Sequence, residues 1–210
     1  MTRVVLATTN SNKVREIRAL LDGVAIDVVG LDQFGAIEPP EETGATFEDN
    51  AALKARYYAA ATGLPAIAED SGLEVDALGG QPGVESARFG GAESSYADKF
   101  ARLYTMLDAA GGRDSAARFV CAVALADRDA IRFAARGTVE GRISPEARGT
   151  HGFGYDPIFF YPPEGRTLAE VGDDIKRAVG HRGAAFRALR AWLEQQPKAE
   201  GGAYRNSTLR

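Results

Sequence analysis

Cysteine, histidine and long apolar stretches are scarce in this chain. A single cysteine, Cys121, among 210 residues excludes an intramolecular disulfide and any cysteine-based zinc cluster. Its neighbours in RFVCAVALA place it at a buried strand position, where a thiol packs as a small, inert hydrophobe. The two histidines, His151 and His181, stand too far apart for the usual His-rich zinc spacings, so any metal is expected to be held by oxygen. No apolar run approaches the ~20 residues that cross a bilayer, and no basic segment leads into an apolar one at the start. No membrane partner and a cytoplasmic location are therefore expected. Positive charge is not in excess either: 25 Lys and Arg against 29 Asp and Glu leave a net charge of −4. Such a balance gives no field for gripping a nucleic-acid backbone, and no nucleic acid is expected among the partners.

The composition, 45% hydrophobic and 26% charged, is that of an ordinary globular chain, long enough for one sizeable domain or two small lobes sharing a core. RVVLATTN reads as a strand ending in small polar residues, and SNKVREIRALLDG as a helix with Val14, Ile17, Leu20 and Leu21 on one stripe, closed by Gly23. AIDVVG alternates as a second strand. A long helix is predicted in TFEDNAALKARYYAAATG, opened by Thr46 and Asp49 as a capping-box-like pair and stopped by Gly63. LPAIAED is then the next strand of a βαβαβ-like series, ending at the acids. LEVDALGGQPGVESARFGG suits a loop-rich rim with a short strand, and SYADKFARLYTMLDAAGG a helix with Phe100, Leu103 and Leu107 inward.

Two alternating runs around Asp127, Arg128 and Asp129 predict an antiparallel hairpin, a candidate second lobe. HGFGYDPIFFY approaches another strand, and HRGAAFRALRAWLEQQ is an amphipathic helix with Phe186, Leu189, Trp192 and Leu193 facing the core. Residues 1–196 are thus expected to form a single domain of two lobes, and 197–210, without periodicity, a disordered tail.

The stretch AIAEDSGLEV, residues 66 to 75, sets Glu69 and Asp70 side by side before a Ser-Gly pair that reads as a turn. Buried carboxylates are costly unless paired or metal-bound, so the acids either point into solvent at that turn or hold a cation. TTNSNK brings small polar residues and Lys13 to a helix start. Either this is a capped helix with a solvated lysine, or the backbone N–H groups and the ammonium hold an anion; GxxxxGK[ST] is absent. Further acids gather in PEETGATFEDN, where Glu48 and Asp49 read as first-turn capping residues and Glu41 and Glu42 lie before them. If the loop after the first strand and the end of the third lie at one edge of the same sheet, a phosphate-binding rim stands beside an acidic one, which is the chemistry of magnesium, Mg2+. Phe153, Gly154 and Asp156 offer an aromatic face, a flexible link and an acceptor, and Lys176, His181 and Arg182 offer donors at the entrance to the last helix. Together these suit a purine base, although each alone has a structural explanation.

Taken in order over residues 3–193, LATTNSNKVREI, EETGATFEDNA, AEDSGLEVDAL, PGVESARFGG, GFGYDPIFF and HRGAAFRAL resemble the inosine triphosphate pyrophosphatase family, the XTP/dITP diphosphatases that clear non-canonical purines from the nucleotide pool. The resemblance implies an α/β fold, elongated and two-lobed around a mixed central β-sheet flanked by helices. It also implies a homodimer and Mg2+-dependent hydrolysis of ITP, dITP or XTP to monophosphate and pyrophosphate. By the same resemblance, Thr8, Thr9, Asn10, Ser11, Asn12 and Lys13 hold the triphosphate. Glu42 and Glu69 or Asp70 hold the metal, and Asp70 activates water, with Glu69 and Lys13 beside it in the catalytic set. Ser71 touches phosphate or base, and Phe153, Gly154, Tyr155, Asp156, Lys176, His181 and Arg182 bind the nucleotide, the last two near the base.

This chain departs from its relatives twice. Glu69-Asp70 stands where many have Asp-Asp, which leaves open which acid touches the metal. Gly180 stands where Ser precedes His-Arg; at a helix N-cap that exchange alone costs only a few tenths of a kcal/mol. Two rival readings are a related pocket for modified pyrimidine nucleotides and a nucleotide sensor without turnover.

Overall fold

The computed structural model describes residues 2–91 and 93–196; the tail expected to be disordered, 197–210, lies outside them. Short β-branched runs give β1 (Thr2–Leu6) and β2 (Ile26–Gly30), which pair in parallel with Val4 opposite Val28. Between them lies α1 (Ser11–Leu20), capped by the Asn10 side chain. The next helix, α2 (Phe47–Thr62), begins and ends where its local chemistry predicts. The Thr46 hydroxyl accepts from the Asp49 N–H, and Gly63 adopts the left-handed conformation that ends the helix.

β3 (Ala66–Val75) is longer than its sequence predicts. It pairs in parallel with β1, Val5 opposite Ala66, and runs on through Ser71 and Gly72 without turning. The acids therefore sit in mid-strand and not at a strand end. After α3 (Tyr96–Ala109), β4 (Ala116–Asp127) and β5 (Ala130–Ile143) form the predicted hairpin, with Arg128 at φ 59° in its two-residue turn. β6 (Phe159–Tyr161) and β7 (Arg166–Thr167) add antiparallel edges. One mixed sheet of seven strands results, in the order β2-β1-β3-β4-β5-β6-β7. α4 (Asp173–Val179) and α5 (His181–Gln195) follow, so Lys176 lies in a helix of its own and not in the lead-in to the last one. No helix among the described residues is long and apolar enough to cross a membrane.

The chain divides into two compact units. The described parts of Met1–Asp70, Cys121–Gly137 and Ala184–Arg210 form the first, Ser71–Val120 and Thr138–Gly183 the second. The hairpin is not a lobe by itself, because β3, β4 and β5 each give residues to both units. Strands continuous through two cores must be apolar along their length, and Ala117 to Ala126 of β4 are almost all buried. In the first unit Val4, Leu6, Ile67, Cys121 and Val123 pack with Ile17 of α1 and Phe186 and Leu189 of α5, with Trp192 partly buried on Phe133. In the second, Leu103 and Leu107 of α3 pack with Leu73, Phe119, Ile158 and Phe159.

Candidate active site

Successive side chains of a strand point to opposite faces, and β3 uses that alternation to separate its two acids. Glu69 takes one set of partners: its Oε1 lies 2.5 Å from Lys13 Nζ, and its Oε2 accepts from the Cys121 thiol at 3.1 Å. Asp70 takes another, on α2. Its Oδ1 accepts from Lys54 Nζ at 3.0 Å and its Oδ2 from the Asn50 amide at 3.3 Å. Lys54 Nζ also donates to Glu42 Oε1 at 2.5 Å, so one ammonium bridges Glu42 and Asp70. Both acids of the pair are buried, Glu69 at 4% and Asp70 at 6% exposure, which excludes the solvent-facing turn. Cys121 is buried as expected, but it is more than packing, since its thiol helps hold a carboxylate.

Burial raises the Asp70 carboxyl above its ordinary range, and the Lys54 charge partly opposes the rise. For Lys54, burial works against the ammonium, but the attraction of Asp70 and Glu42 outweighs it and the pKa rises. The ammonium is therefore retained at neutral pH. Neither Lys54 nor Asn50 was singled out from sequence, yet a signal existed. Asn50, fully buried, and Lys54 occupy helical core spacing among Phe47, Ala51, Ala55 and Tyr58, where a polar side chain needs a partner in the sheet.

The loop after β1 is built around Asn10. Its side-chain oxygen accepts from the N–H groups of Asn12 (3.0 Å) and Lys13 (3.3 Å), and its own N–H donates to the Thr8 hydroxyl at 3.2 Å. Thr9 and Ser11 are exposed beside it. The helix-end N–H groups expected to face an anion are thus shared with an internal cap, and what the loop presents outward is polar side chains and the Lys13 ammonium. Glu48 and Asp49 serve the helix as predicted: Glu48 pairs with Arg136 and Asp49 accepts from Thr46. Among the described residues no three His, Cys, Asp or Glu side chains cluster as a metal site. Glu42 and Asp70, however, already converge on a single cation, Lys54.

In the second unit the expected nucleotide-binding residues gather round Asp156. Its Oδ2 accepts from the Phe153 N–H at 2.8 Å and from Lys176 Nζ at 2.7 Å. Gly152, at φ +73°, lies against that carboxylate so closely that a Cβ there would collide with it. Asp156 therefore acts as the internal brace of the loop. Tyr155, 3% exposed, donates to the Ser86 carbonyl at 3.0 Å and belongs to the core; burial pushes its phenol well above the ordinary range. Phe153 is half-buried, with Lys176 Nζ 4.4 Å and the Arg182 guanidinium 5.6 Å from its ring centre. Arg182 donates to the Ser71 hydroxyl at 3.1 Å, and His181 stacks on Phe119 with ring centres 4.9 Å apart. That stacking partner was also missed, because nothing local in sequence links residues so far apart.

Gly180 ends α4 and directly precedes α5. A Cβ at 180 would stand 2.5 Å from the Lys176 carbonyl oxygen, a backbone atom. The helix-cap argument from sequence alone is thereby corrected. Gly180→Ser is expected to force the α4–α5 junction apart and to destabilise by ~1–3 kcal/mol, as overpacking does. Differential scanning calorimetry checks this, and an unchanged or raised Tm contradicts it.

Comparison with known proteins agrees with the six motifs. The Ham1 family matches residues 4–192. A dITP/XTP pyrophosphatase of Geobacter sulfurreducens is 45% identical over 196 residues, covering 93% of this chain and 98% of that one. One from Thermus thermophilus is 47% identical over 199 residues, covering 94% and 95%. The solved HAM1 protein of Coxiella burnetii superposes with a TM-score of 0.87 at 41% identity, covering 93% of this chain and all of that one. The Staphylococcus aureus Ham1 protein superposes at 0.82 and 36%, covering 92% and 98%. With fold, motifs and nearly the whole length in agreement, this chain belongs to the Ham1 family.

Proposed function

We propose that the chain hydrolyses the non-canonical purine nucleotides ITP, dITP and XTP to nucleoside monophosphate and pyrophosphate, using Mg2+ held by Glu42 and Asp70. The enzyme class rests on the family: similar to proteins named dITP/XTP pyrophosphatase along nine-tenths of its length, the chain is a nucleoside-triphosphate pyrophosphatase, a hydrolase of nucleotide metabolism. The observation that carries the chemistry is the buried Asp70, gripped through both oxygens in mid-strand by Lys54 and Asn50.

The donor set fits the metal. Two hard carboxylates already share one positive centre, and Mg2+ favours one or two carboxylates completed by phosphate oxygens and water. When bound, Mg2+ supplies charge neutralisation on the phosphates. The side chains do the rest. Asp70 Oδ2, held only by the longer Asn50 bond, takes the proton of a water attacking the α-phosphorus; a new P–O bond forms there as the bond to the bridging oxygen breaks, and pyrophosphate leaves with that electron pair. Lys13, oriented by Glu69, and Lys54 offset phosphate charge. No serine or cysteine nucleophile is needed.

In the second unit Arg182 and Lys176 present donors suited to a 6-oxo purine. The 6-amino group of adenine would oppose donor to donor, a mismatch that typically discriminates by ~10²–10⁴ in kcat/KM. Homodimeric assembly, a cytoplasmic location and action on free nucleotides, with neither nucleic acid nor membrane as partner, belong to the same proposal.

Pyrophosphate release from ITP, XTP, dITP, GTP and ATP, with Mg2+ and with chelator, tests it. Turnover of the first three, lost with chelator and at least ~10²-fold weaker for ATP, is the expected result. Equal turnover of ATP and ITP removes the purine selectivity, and orthophosphate in place of pyrophosphate removes the reaction.

A further inference from the structure

Asn50 lies on α2 one turn before Lys54, fully buried, and both ends of its side-chain amide are used. The amide nitrogen donates to Asp70 Oδ2 at 3.3 Å, and the amide oxygen accepts from the Gly44 N–H at 2.8 Å. A backbone N–H can only donate and an ionised carboxylate only accept, so these partners leave the amide a single way round. Gly44 is fitted to the contact. A Cβ there would stand 2.6 Å from the Asn50 oxygen, 2.6 Å from Asp49 Cβ and 2.9 Å from the Asn50 backbone nitrogen, so only glycine lets the loop come this close. Glu42 stands two residues before Gly44. One neutral side chain therefore ties the loop that carries Glu42 to the strand that carries Asp70, and all four residues belong to the first unit.

We propose that Asn50 is a positioning residue that fixes the separation of Glu42 and Asp70 for the metal, independently of Lys54. The inference rests on the reading that those two acids hold Mg2+. Lys54 is unsuited to the task because it works through charge: its ammonium takes Glu42 Oε1 and Asp70 Oδ1, and a cation held by the same acids competes with it. The Asn50 amide carries no charge and takes neither of those oxygens, so it stays in place whichever cation the acids hold. It also orients Asp70 Oδ2, the oxygen that receives the proton of water in the proposed reaction. Ligands already held in place lose little freedom when their partner arrives. Removing a hydrogen-bond partner from a metal-binding carboxylate typically costs about 10- to 100-fold in metal affinity or activity.

Two variants test the inference. Asn50→Leu keeps the branching of the side chain and removes both bonds, whereas Gly44→Ala leaves Asn50 and Asp70 intact and displaces only the loop. Tm is followed as Mg2+ is added without nucleotide, and kcat and KM for ITP are measured where circular dichroism shows each variant folded. The Mg2+ concentration needed for a given rise in Tm should increase by about 10- to 100-fold in both variants. In Asn50→Leu kcat should fall by about the same factor with KM for ITP within about 3-fold, since the groups proposed to receive the base belong to the second unit. A side chain that merely filled the core would lower Tm and leave the Mg2+ response and kcat of both folded variants unchanged, and that result overturns the inference. A Mg2+ response altered in Asn50→Leu but not in Gly44→Ala overturns it too, because Asn50 would then act on Asp70 alone. Should Asn50→Leu fail to fold, the Mg2+ response of Gly44→Ala decides. A wild type whose Tm ignores Mg2+ overturns the metal reading and the inference with it, whereas absent ITP turnover with the Mg2+ differences intact overturns only the proposed reaction.

Discussion

Asp70→Asn is expected to lower kcat for ITP by at least ~10²-fold, the usual order for loss of a positioned general base. The asparagine oxygen still accepts from Lys54, so the charge network on α2 keeps its geometry on that side. On the other side the new amide meets the Asn50 amide, donor against donor, while the Asn50 oxygen is committed to the Gly44 N–H at 2.8 Å. An unsatisfied buried polar group costs ~1–3 kcal/mol, so a Tm lower by several degrees accompanies the catalytic loss. The two effects separate when kcat is measured at a temperature where circular dichroism shows the variant fully folded. Hydrolysis within a few-fold of wild type would show that Asp70 is not the base. In ¹⁸O-water the wild-type enzyme should label the monophosphate; label found only in pyrophosphate would relocate the attack away from the α-phosphorus.

Lys54→Met is expected to reduce stability by ~2–4 kcal/mol, the range for stripping the counter-charge from buried carboxylates, discounted because Glu42 is partly open to solvent. The side chains concerned are 13%, 9% and 25% exposed for Lys54, Asp70 and Glu42. Methionine preserves length and packing, so the loss reports charge. Added Mg2+ should then raise the Tm of the variant more than that of wild type, because a cation binding the folded state stabilises it in proportion to its affinity and has no ammonium to contend with. Equal melting of variant and wild type, or an equal response to Mg2+, would show that Lys54 does not hold the two carboxylates together. Activity of the variant should fall as well if Lys54 offsets phosphate charge as proposed.

What was legible in the sequence follows from the range of the forces involved. The limits of α2 were readable because Thr46, Asp49 and Gly63 act within one helical turn. The β4–β5 hairpin was readable because its turn lies between two apolar runs. The end of β3 was misread for a related reason: Glu69, Asp70, Ser71 and Gly72 interrupt the apolar pattern, and only pairing with strands far away in sequence keeps the chain extended there. The structure brings Lys13 to Glu69 and Glu42 to Asp70, but the pairings themselves were not legible. That Lys13 goes to Glu69 and Lys54 to Asp70 depends on which helix covers which face, a tertiary fact. Asp156 was read from its residues as an acceptor and Tyr155 by resemblance as a nucleotide contact; what sequence could not show is that Asp156 accepts from the Phe153 N–H and Tyr155 donates to the distant Ser86 carbonyl.

The alternation of Glu69 and Asp70 across β3 also bears on how the chain finds its register. A slip of one residue against β1, from Val5–Ala66 to a neighbouring pairing, would turn each carboxylate toward the other helix layer and carry Ile67 out of its apolar cluster. Two anions would then lie in low dielectric without their lysines, at a cost of several kcal/mol each. An all-apolar parallel strand has little to tell one register from the next. Here two adjacent charges with separate counter-ions act as opposed keys, and misaligned strand pairings are rejected by the carboxylates themselves.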